Sequence, residues 1–149
     1  MIRIARADLD WLLPAGADLD VVTAAWYNGT LAPIPVGRLW DAIQLPKHLG
    51  WPTLNCLHRA RHSVGASLQG SSYFYVLVPP GGAAIWKAPA TVALSRGDKL
   101  AVPDPAQQVP LTPSSRTWII PPRLPLALSN PTALRNAYLA ARREASPNI

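Results

Sequence analysis

Cysteine, methionine and phenylalanine each occur once in this chain of 149 residues. The single cysteine, Cys56, excludes an internal disulfide and a zinc site built from several cysteines. It lies in TLNCLHRA at helical spacing, which favours a buried packing role over catalysis. No apolar run approaches the ~18 residues of a bilayer-spanning helix, and the first residues lack the apolar core and cleavage pattern of a signal peptide. We therefore expect a cytoplasmic protein.

Acidic residues are scarce beyond the start of the chain. There are 14 Lys and Arg against 8 Asp and Glu, which gives a net charge of +6. Four of the acids come early in the chain, at Asp8, Asp10, Asp18 and Asp20. The rest of the chain is strongly basic, which favours a polyanionic partner such as nucleic acid. A basic soluble surface without such a partner is the alternative, because Lys and Arg form no dense run.

The remaining composition is that of a folded domain. Hydrophobic residues make up 49% of the chain and charged residues 15%, enough for a real core and unlike a disordered segment. The chain has seventeen prolines, and all but Pro14 recur along it after Asn28, so they separate short elements and do not form one linker. The length is that of a single domain, which we assign to residues 1–149.

Four segments have the pattern of a helix. The first, RADLDWLLPAG, is stopped by Pro14 and Gly16, and the second follows a cap at Asp18 or Asp20 and ends at Asn28-Gly29. The third, KHLGWPTLNCLHRARH, contains a potential break at Gly50–Pro52. The last, NPTALRNAYLAARREA, has Asn130 as its cap and Pro131 at its first position. Its inward positions are Leu134, Ala137, Tyr138 and Ala141.

Several shorter segments have the pattern of a strand. LAPIPVG and RLWDAIQLP are joined by a turn at Gly37-Arg38, and the prolines place the first of them at a sheet edge. SVGASLQG and SYFYVLVPP follow, and then AAIWKA, TVALSRGDKLAVPDP and RTWIIPPR. We predict an α+β fold with a central mixed or antiparallel sheet flanked by helices. Residues 39–45 and 73–78 should share that sheet, with the helix 131–145 packed on one face.

An acid in the strand GRLWDAIQLP poses a functional question. Alternation places Asp41 on the same face as Leu39, Ile43 and Leu45, where an unpaired carboxylate is costly. Asp41 is therefore a metal ligand, a strand-end acid, or a structural acceptor paired with Arg38 or with a basic residue of the third helix.

The order of four motifs resembles a known family. These are LAPIPVGRLWDAIQLP, GASLQGSSYFYVLVPPGGAAIW, RTWIIPP and LSNPTALRNAYLAA. Together, from about Trp26 to Ala141, they resemble the small actinobacterial proteins described as bifunctional DNA primase/polymerase N-terminal (prim-pol) domains, of the archaeo-eukaryotic primase type. The resemblance implies an α+β core with an RRM-like part, here reduced. It also implies nucleotidyl transfer on two divalent metals, held by an acid-x-acid pair and a third acid, with a histidine near the phosphates.

The sequence departs from that family at the catalytic positions. Ile43 stands where the second acid after Asp41 is required, and SSYFYVLVPP holds no histidine. Asp98 and Asp104 have the setting of turn residues. Asp41 is then a lone remnant of the acid motif, so we expect no catalytic residues, no metal site and no cofactor, with Mg²⁺ or Mn²⁺ relevant only to residual activity.

Seven residues are candidates for binding nucleic acid. Arg59, Arg61 and His62 form a basic cluster that would contact phosphates together with Arg38. Tyr73 and Tyr75 share a strand face and would stack on bases, with Lys87 beside Trp86 as a further contact. Core packing of the aromatic residues and a solvated helix end are the alternatives. His58 and His62 have a metal-compatible spacing, but no Glu accompanies them.

These observations support three functions. The first is a catalytically degenerate primase/polymerase-like domain that binds nucleic acid or nucleotide. The second is an adaptor or regulator that keeps the fold, has lost the site and binds a protein. The third is an active DNA primase/polymerase, a nucleotidyltransferase, which the missing acids disfavour.

Overall fold

The computed structural model describes residues 4–106 and 116–145. Within these ranges the chain forms four α-helices, one 3₁₀ helix and seven strands. The order is α1 (Arg6–Ala15), α2 (Leu19–Tyr27), β1 (Ala32–Pro35), β2 (Asp41–Pro46), α3 (Lys47–Arg59), β3 (Ser67–Gln69), β4 (Tyr73–Val78), the 3₁₀ helix (Gly82–Ile85), β5 (Val92–Leu94), β6 (Lys99–Val102), β7 (Thr117–Ile120) and α4 (Pro131–Ala145).

Five strands form one antiparallel sheet in the order β5-β2-β4-β3-β7. Strands β2 and β4 are neighbours along their whole length, with Asp41 opposite Val78 and Pro46 opposite Tyr73. Helix α4 packs with α3 on one face of this sheet. The predicted α+β fold, with the two segments in one sheet and the last helix on its face, is confirmed, although the strand predicted at 39–45 spans Asp41–Pro46.

Strand β1 belongs to a separate two-stranded sheet. It pairs antiparallel with β6, with Ala32 opposite Val102 and Pro35 opposite Lys99. The predicted turn at Gly37 exists, since the Gly37 amide donates to the Trp40 carbonyl at 2.8 Å. This turn directs β2 into the larger sheet, away from β1. Leu39 lies before β2 and not within it.

The larger sheet separates two hydrophobic cores. On one face, α1, α2 and the small sheet enclose the α1–α2 core, whose largest members include Trp11, Trp26, Ile34, Trp40, Tyr75, Leu77 and Trp118. On the other face, α3 and α4 enclose the α3–α4 core, which includes Ile43, Leu45, Leu57, Phe74, Val76, Leu134 and Tyr138. The predicted alternation along β2 holds from Trp40 to Leu45, but Leu39 packs against the α1–α2 core because it precedes the strand.

Helix α3 is continuous through the predicted break. It passes through Gly50 and Pro52 and ends at Arg59. A Cβ atom at Gly50 would lie 2.3 Å from the Phe74 ring, so the glycine allows the helix to lie directly on β4. Pro52 has no N–H group to donate, so one hydrogen bond is missing from the first turns of the helix. Tertiary packing on Phe74 therefore outweighs the local preference for a break.

The other helices follow their sequence signals closely. Helix α1 runs through Pro14, which was predicted to help stop it, and ends at Ala15 before Gly16, which adopts φ 84. Helix α2 is capped by the Asp18 side chain. The Asn130 side chain accepts from the Ala133 amide at 3.0 Å, as predicted for a cap of α4. The four predicted inward positions of α4 are buried. In the described part of the chain, no helix combines the length and apolar character needed to cross a membrane.

Two strand predictions are wrong in extent or type. AAIWKA lies in and after the 3₁₀ helix, so it is not a strand. The side chain of Asp41 accepts backbone N–H groups of this segment and stabilises the turn there. SVGASLQG is extended only at β3, because the β-bulge between Ser67 and Leu68 and the turn after Gln69 limit its pairing.

Candidate functional site

Asp41 organises a backbone turn. Its side chain is buried, with the residue 2% exposed. Its Oδ2 accepts the Gly81 amide at 2.8 Å and the Ala83 amide at 3.1 Å. Neither ion pair found within the described ranges involves Asp41, so the basic partner expected from the sequence is replaced by two backbone donors. Asp41 is therefore a structural acceptor at the start of the 3₁₀ helix.

Asp98 and Asp104 also serve turns, as their sequence setting predicts. Asp98 accepts the Ser95 amide at 2.9 Å, and Asp104 accepts the Ala106 amide at 3.0 Å. Residues 4–106 and 116–145 contain no cluster of three His, Cys, Asp or Glu side chains arranged to hold a metal ion. His62 lies beyond the end of α3, after Arg61 at φ 61, so His58 and His62 do not share a helical face.

The predicted basic surface is divided between the two faces of the sheet. Arg38 lies beside the end of α1, where a Cβ atom at Gly16 would be 2.7 Å from its Nη1. Arg59, Arg61 and His62 lie at the end of α3, over the opposite core. Arg59 is also paired with Glu144 at 3.3 Å. The structure therefore does not bring Arg38 together with the other three, because helices α1 and α3 cover opposite faces.

Of the two candidate stacking tyrosines, one is exposed. Tyr73 and Tyr75 lie on the same face of β4, as alternation predicts, and both line one small cavity. Tyr73 is 46% exposed, whereas Tyr75 is 4% exposed. The stacking role predicted for Tyr75 is therefore wrong, since its ring is buried and has Arg116 over it at 4.7 Å from the centroid.

Lys87 lies in a different region, near the start of α4. Its carbonyl accepts from Arg135 Nε at 2.8 Å, and both side chains line a cavity of about 360 Å³ with Ile85, Trp86 and Thr132. Trp86 is buried and donates to Thr91 at 2.9 Å, which supports a packing role for that indole.

A groove at one end of the large sheet combines exposed aromatic and basic side chains. We call it the Trp51–Tyr73 groove. It has a volume of about 570 Å³ and is lined by Pro46, Lys47, His48, Trp51, Pro52, Ser72 and Tyr73. It lies where β2 passes into α3 and where β4 begins. Trp51 is 49% exposed and Tyr73 is 46% exposed, so two partly exposed aromatic residues line one depression. Trp51 lies on the α3 side, against Phe74, whereas Tyr73 shares the face of Tyr75, so the depression reaches around the end of the sheet.

The exposed indole of Trp51 is held in a fixed position. Its Nε1 donates to Gln69 Oε1 at 2.9 Å. Its ring lies edge-on to Phe74, with centroids 6.4 Å apart. Gly50 allows this approach, because any larger residue there would collide with Phe74. A ring anchored at its polar atom and at its edge loses little conformational freedom when a ligand stacks on it.

Two smaller cavities extend the groove and add positive charge. One, of about 240 Å³, shares Ser72 and Tyr73 with it and includes Arg116. The other, also about 240 Å³, shares Pro46 and His48 and includes Arg142. Among the described residues that line the three spaces, every formally charged side chain is basic. Helix α3 also begins in the groove without an acid in its first turn, so its positive dipole end adds to the charge.

Sequence reasoning missed Lys47, Trp51, Arg116 and Arg142 as site residues. The Trp51-Pro52 dipeptide was available as a signal, since a tryptophan at a suspected helix break is a candidate for exposure. Arg116 gave no such signal. Arg116 lies beside Gly70, a residue distant in sequence, because Gln69 of β3 pairs with Thr117 of β7.

The fold is thus a two-core α+β domain built on a five-stranded antiparallel sheet. No protein-family model, curated protein or solved structure matches the chain.

Proposed function

We propose that the protein binds single-stranded nucleic acid in the Trp51–Tyr73 groove and does not catalyse nucleotidyl transfer. The observation that carries this proposal is the pair of half-exposed rings in a groove whose charged lining is basic. Stacking of a base on an exposed aromatic ring contributes about 1–3 kcal/mol and tolerates any base. Unpaired bases are needed for such stacking, so a single strand is favoured over a duplex.

The charge distribution supports a phosphate-bearing ligand. Lys47, the first residue of α3, lines the groove, and Arg116 and Arg142 line the adjoining cavities. The whole chain carries a net charge of +6, which attracts a polyanion from a distance. These charges favour association with any nucleic acid and add to its affinity. They do not distinguish one base from another.

The absence of catalysis is proposed from the role of Asp41. Its Oδ2 is occupied by two backbone amides, and the position two residues further holds Ile43. We also propose that the protein is related to the primase-type family, on the order of the sequence motifs, and that it is cytoplasmic. A metal-dependent nucleotidyltransferase would need further carboxylates near Asp41.

A protein-binding adaptor is the second candidate. Pro46 and Pro52 line the groove beside Trp51 and Tyr73. Exposed aromatic rings of this kind bind proline-rich peptides in several recognition domains. Such binding depends mainly on apolar contact, so its affinity should change little with salt.

The experiment is a titration of fluorescently labelled oligothymidylate, followed by anisotropy at several salt concentrations. We expect binding that weakens steeply with salt, as phosphate contacts require. Trp51→Ala and Tyr73→Ala should each weaken binding about tenfold, the equivalent of one lost base stack. Tyr27→Ala is the matched control, because Tyr27 is 60% exposed, ends α2 and lines neither the groove nor its two adjoining cavities.

Failure of the parent protein to bind oligothymidylate, or equal affinity of the Trp51 and Tyr73 variants and the parent, would contradict the proposal. Salt-independent binding of a proline-rich peptide that is lost with Trp51→Ala would establish the adaptor instead. Template-dependent nucleotide incorporation that Asp41→Asn abolishes would contradict the absence of catalysis.

A further inference from the structure

The small cavity next to the groove has a polar lining centred on an arginine. We call it the Arg116 cavity. Its volume is about 240 Å³, and it is lined by Gly70, Ser71, Ser72, Tyr73, Tyr75 and Arg116. Ser72 and Tyr73 also line the Trp51–Tyr73 groove, so the two spaces are adjacent.

Arg116 is held in one orientation by three contacts. Its Nη1 donates to the Ala101 carbonyl at 2.6 Å, and its Nη2 donates to the Tyr75 hydroxyl at 3.1 Å. Its Cζ lies 4.7 Å from the centroid of the Tyr75 ring. Neither of the two ion pairs in the described ranges includes Arg116, so its charge is balanced by a carbonyl, a hydroxyl and a π face. These contacts position the guanidinium and leave it cationic.

Tyr75 is itself fixed from the other side. Its hydroxyl donates to Gln44 Oε1 at 3.1 Å and is therefore oriented to accept from Arg116. Tyr75 is buried in the α1–α2 core, so it cannot swing toward solvent. Gln44, Tyr75 and Arg116 form a chain of hydrogen bonds that ends with a guanidinium at the cavity wall. Such support from behind limits the reorganisation that ligand binding requires.

The turn between β3 and β4 supplies the rest of the lining. The Gly70 amide donates to the Tyr73 carbonyl at 2.9 Å and closes the turn. A Cβ atom at Gly70 would lie 3.4 Å from Arg116 Cγ, so the arginine stem passes close over this turn. Ser71 and Ser72 are exposed residues of the turn and line the same cavity as Arg116, so two hydroxyl-bearing side chains lie near the guanidinium.

This set of donors is suited to a phosphate group. A guanidinium presents a planar fork of N–H donors that matches two phosphate oxygens, and serine hydroxyls add neutral donors. We infer that the Arg116 cavity binds a phosphate of the same strand whose bases stack on Trp51 and Tyr73. This inference rests on the proposed function, since the shared wall at Ser72 and Tyr73 places a phosphate within reach of a stacked nucleotide.

Two measurements test this subsite. First, inorganic phosphate is titrated into the ¹⁵N-labelled parent at constant ionic strength, with chloride as the control. The amide signals of Gly70, Ser71 and Ser72 and the Arg116 Nε signal should shift in a saturable way. Second, oligothymidylates with and without a terminal 5′-phosphate are bound to the parent, to Arg116→Gln and to Arg116→Lys. Arg116→Gln should lose about tenfold or more in affinity, as expected for a lost charged hydrogen bond. Arg116→Lys, which keeps the charge without the fork, should lose less.

Comparison of the two oligonucleotides identifies the source of the phosphate. If the terminal phosphate strengthens parent binding and this gain disappears in Arg116→Gln, the cavity holds a strand end. If both oligonucleotides lose the same affinity for Arg116→Gln, the cavity holds an internal phosphodiester. Either result supports the subsite.

Three results would overturn the inference. One is the absence of phosphate-induced shifts in the parent, a measurement that does not depend on how the variants fold. Another is unchanged oligonucleotide affinity in a folded Arg116→Gln, even if free phosphate binds. In both cases Trp51-dependent binding of oligothymidylate would leave the proposed function intact. If the parent binds neither phosphate nor oligonucleotide, both proposals fail.

Discussion

Asp41 Oδ2 lies 2.8 Å from the amide nitrogen of Gly81, which ties the start of β2 to the segment that follows β4. The same oxygen accepts the Ala83 amide. A Cβ atom at the neighbouring Gly82 would lie 2.8 Å from Pro131 Cγ, so this segment also lies against the first residue of α4. The carboxylate therefore fixes a junction between the sheet, the 3₁₀ helix and the last helix.

Replacement of Asp41 by Ala should destabilise the fold. The buried Ala83 amide and the part-buried Gly81 amide would lose their acceptor, at a cost of about 1–3 kcal/mol. Asp41→Asn should cost less, because its amide oxygen can still accept from the backbone. Chemical denaturation measures both, with Asp10→Ala as a control, since Asp10 is an exposed acid of α1. Stability equal to that of the parent in Asp41→Ala would contradict the structural role.

Gly50→Ala should disrupt the contact between α3 and β4. The added methyl would meet the Phe74 ring at 2.3 Å, a collision that requires the helix to shift. We expect a loss of about 1–3 kcal/mol, the range for overpacked cores, and a change in the environment of Trp51. Thermal melting and denaturant unfolding check this, with Asn55→Ala on the exposed face of α3 as the control. An unshifted midpoint in Gly50→Ala would show that the packing is looser than described.

The ion pair between Arg123 and Asp8 should stabilise the junction of α1 with the segment after β7. Arg123 donates to both carboxylate oxygens, at 2.9 and 3.1 Å, and the Trp11 indole donates to the same acid at 2.9 Å. Removing one partner of a fully buried pair costs about 3–5 kcal/mol. Because the Arg123 side chain is 35% exposed, we expect about 2–3 kcal/mol for Arg123→Ala, after allowance for solvent screening.

The control for that measurement is Arg6→Ala, an exposed arginine of α1. Its unfolding midpoint should match that of the parent. A loss in Arg6→Ala as large as in Arg123→Ala would mean that general charge, and not the pair with Asp8, stabilises the domain.

Tyr75 should make stability depend on pH in the alkaline range. Burial raises the pKa of its phenol above the ordinary value of 10.0, while Arg116 lowers it by a smaller amount. The folded state favours the neutral phenol. Tyr75 therefore contributes to the free energy of unfolding below the pKa of the unfolded state, and this contribution is lost as pH rises through the pKa of the folded state. The parent should therefore lose more stability above about pH 10 than Tyr75→Phe.

Denaturant unfolding at a series of alkaline pH values checks this difference. Tyr27→Phe serves as the control, since Tyr27 is exposed and should leave the pH profile unchanged. The pKa of Tyr138 is also raised by burial and contributes equally to all three proteins. Parallel profiles for the parent and Tyr75→Phe would contradict the burial described for Tyr75.

Lys47 and the pair Arg59 and Arg61 should differ in their effect on nucleic-acid binding. Lys47→Ala should reduce the salt slope by about 0.7, the value for one phosphate of a single strand. Arg59→Ala/Arg61→Ala should reduce it less, because neither residue lines the groove or its adjoining cavities and Arg59 is engaged with Glu144. A larger change in the double variant would move the interface to the end of α3, as the sequence predicts.

The hydrophobic pattern was sufficient for most of the fold and for little of the site. Alternation in β2 and β4 and the caps of α2 and α4 are local signals, and they placed the sheet and the helices correctly. The 3₁₀ helix at Gly82 depends on a carboxylate forty residues earlier, and the continuity of α3 depends on Phe74. Likewise, Arg116 reaches the cavity beside the groove through the pairing of β7 with β3. Contacts between distant segments have no periodic signature, so they were not predictable from the sequence.

The two-core arrangement separates the residues that hold the domain together from those that face the groove. Trp51 and Tyr73 project from the end of the sheet, and neither belongs to a core. Most other lining residues come from the turn before β4 or the first turns of α3. Substitutions at these two exposed rings should therefore alter ligand choice at little cost in stability. The groove can diversify while the scaffold stays constant, which makes the protein a suitable starting point for engineered binding specificity.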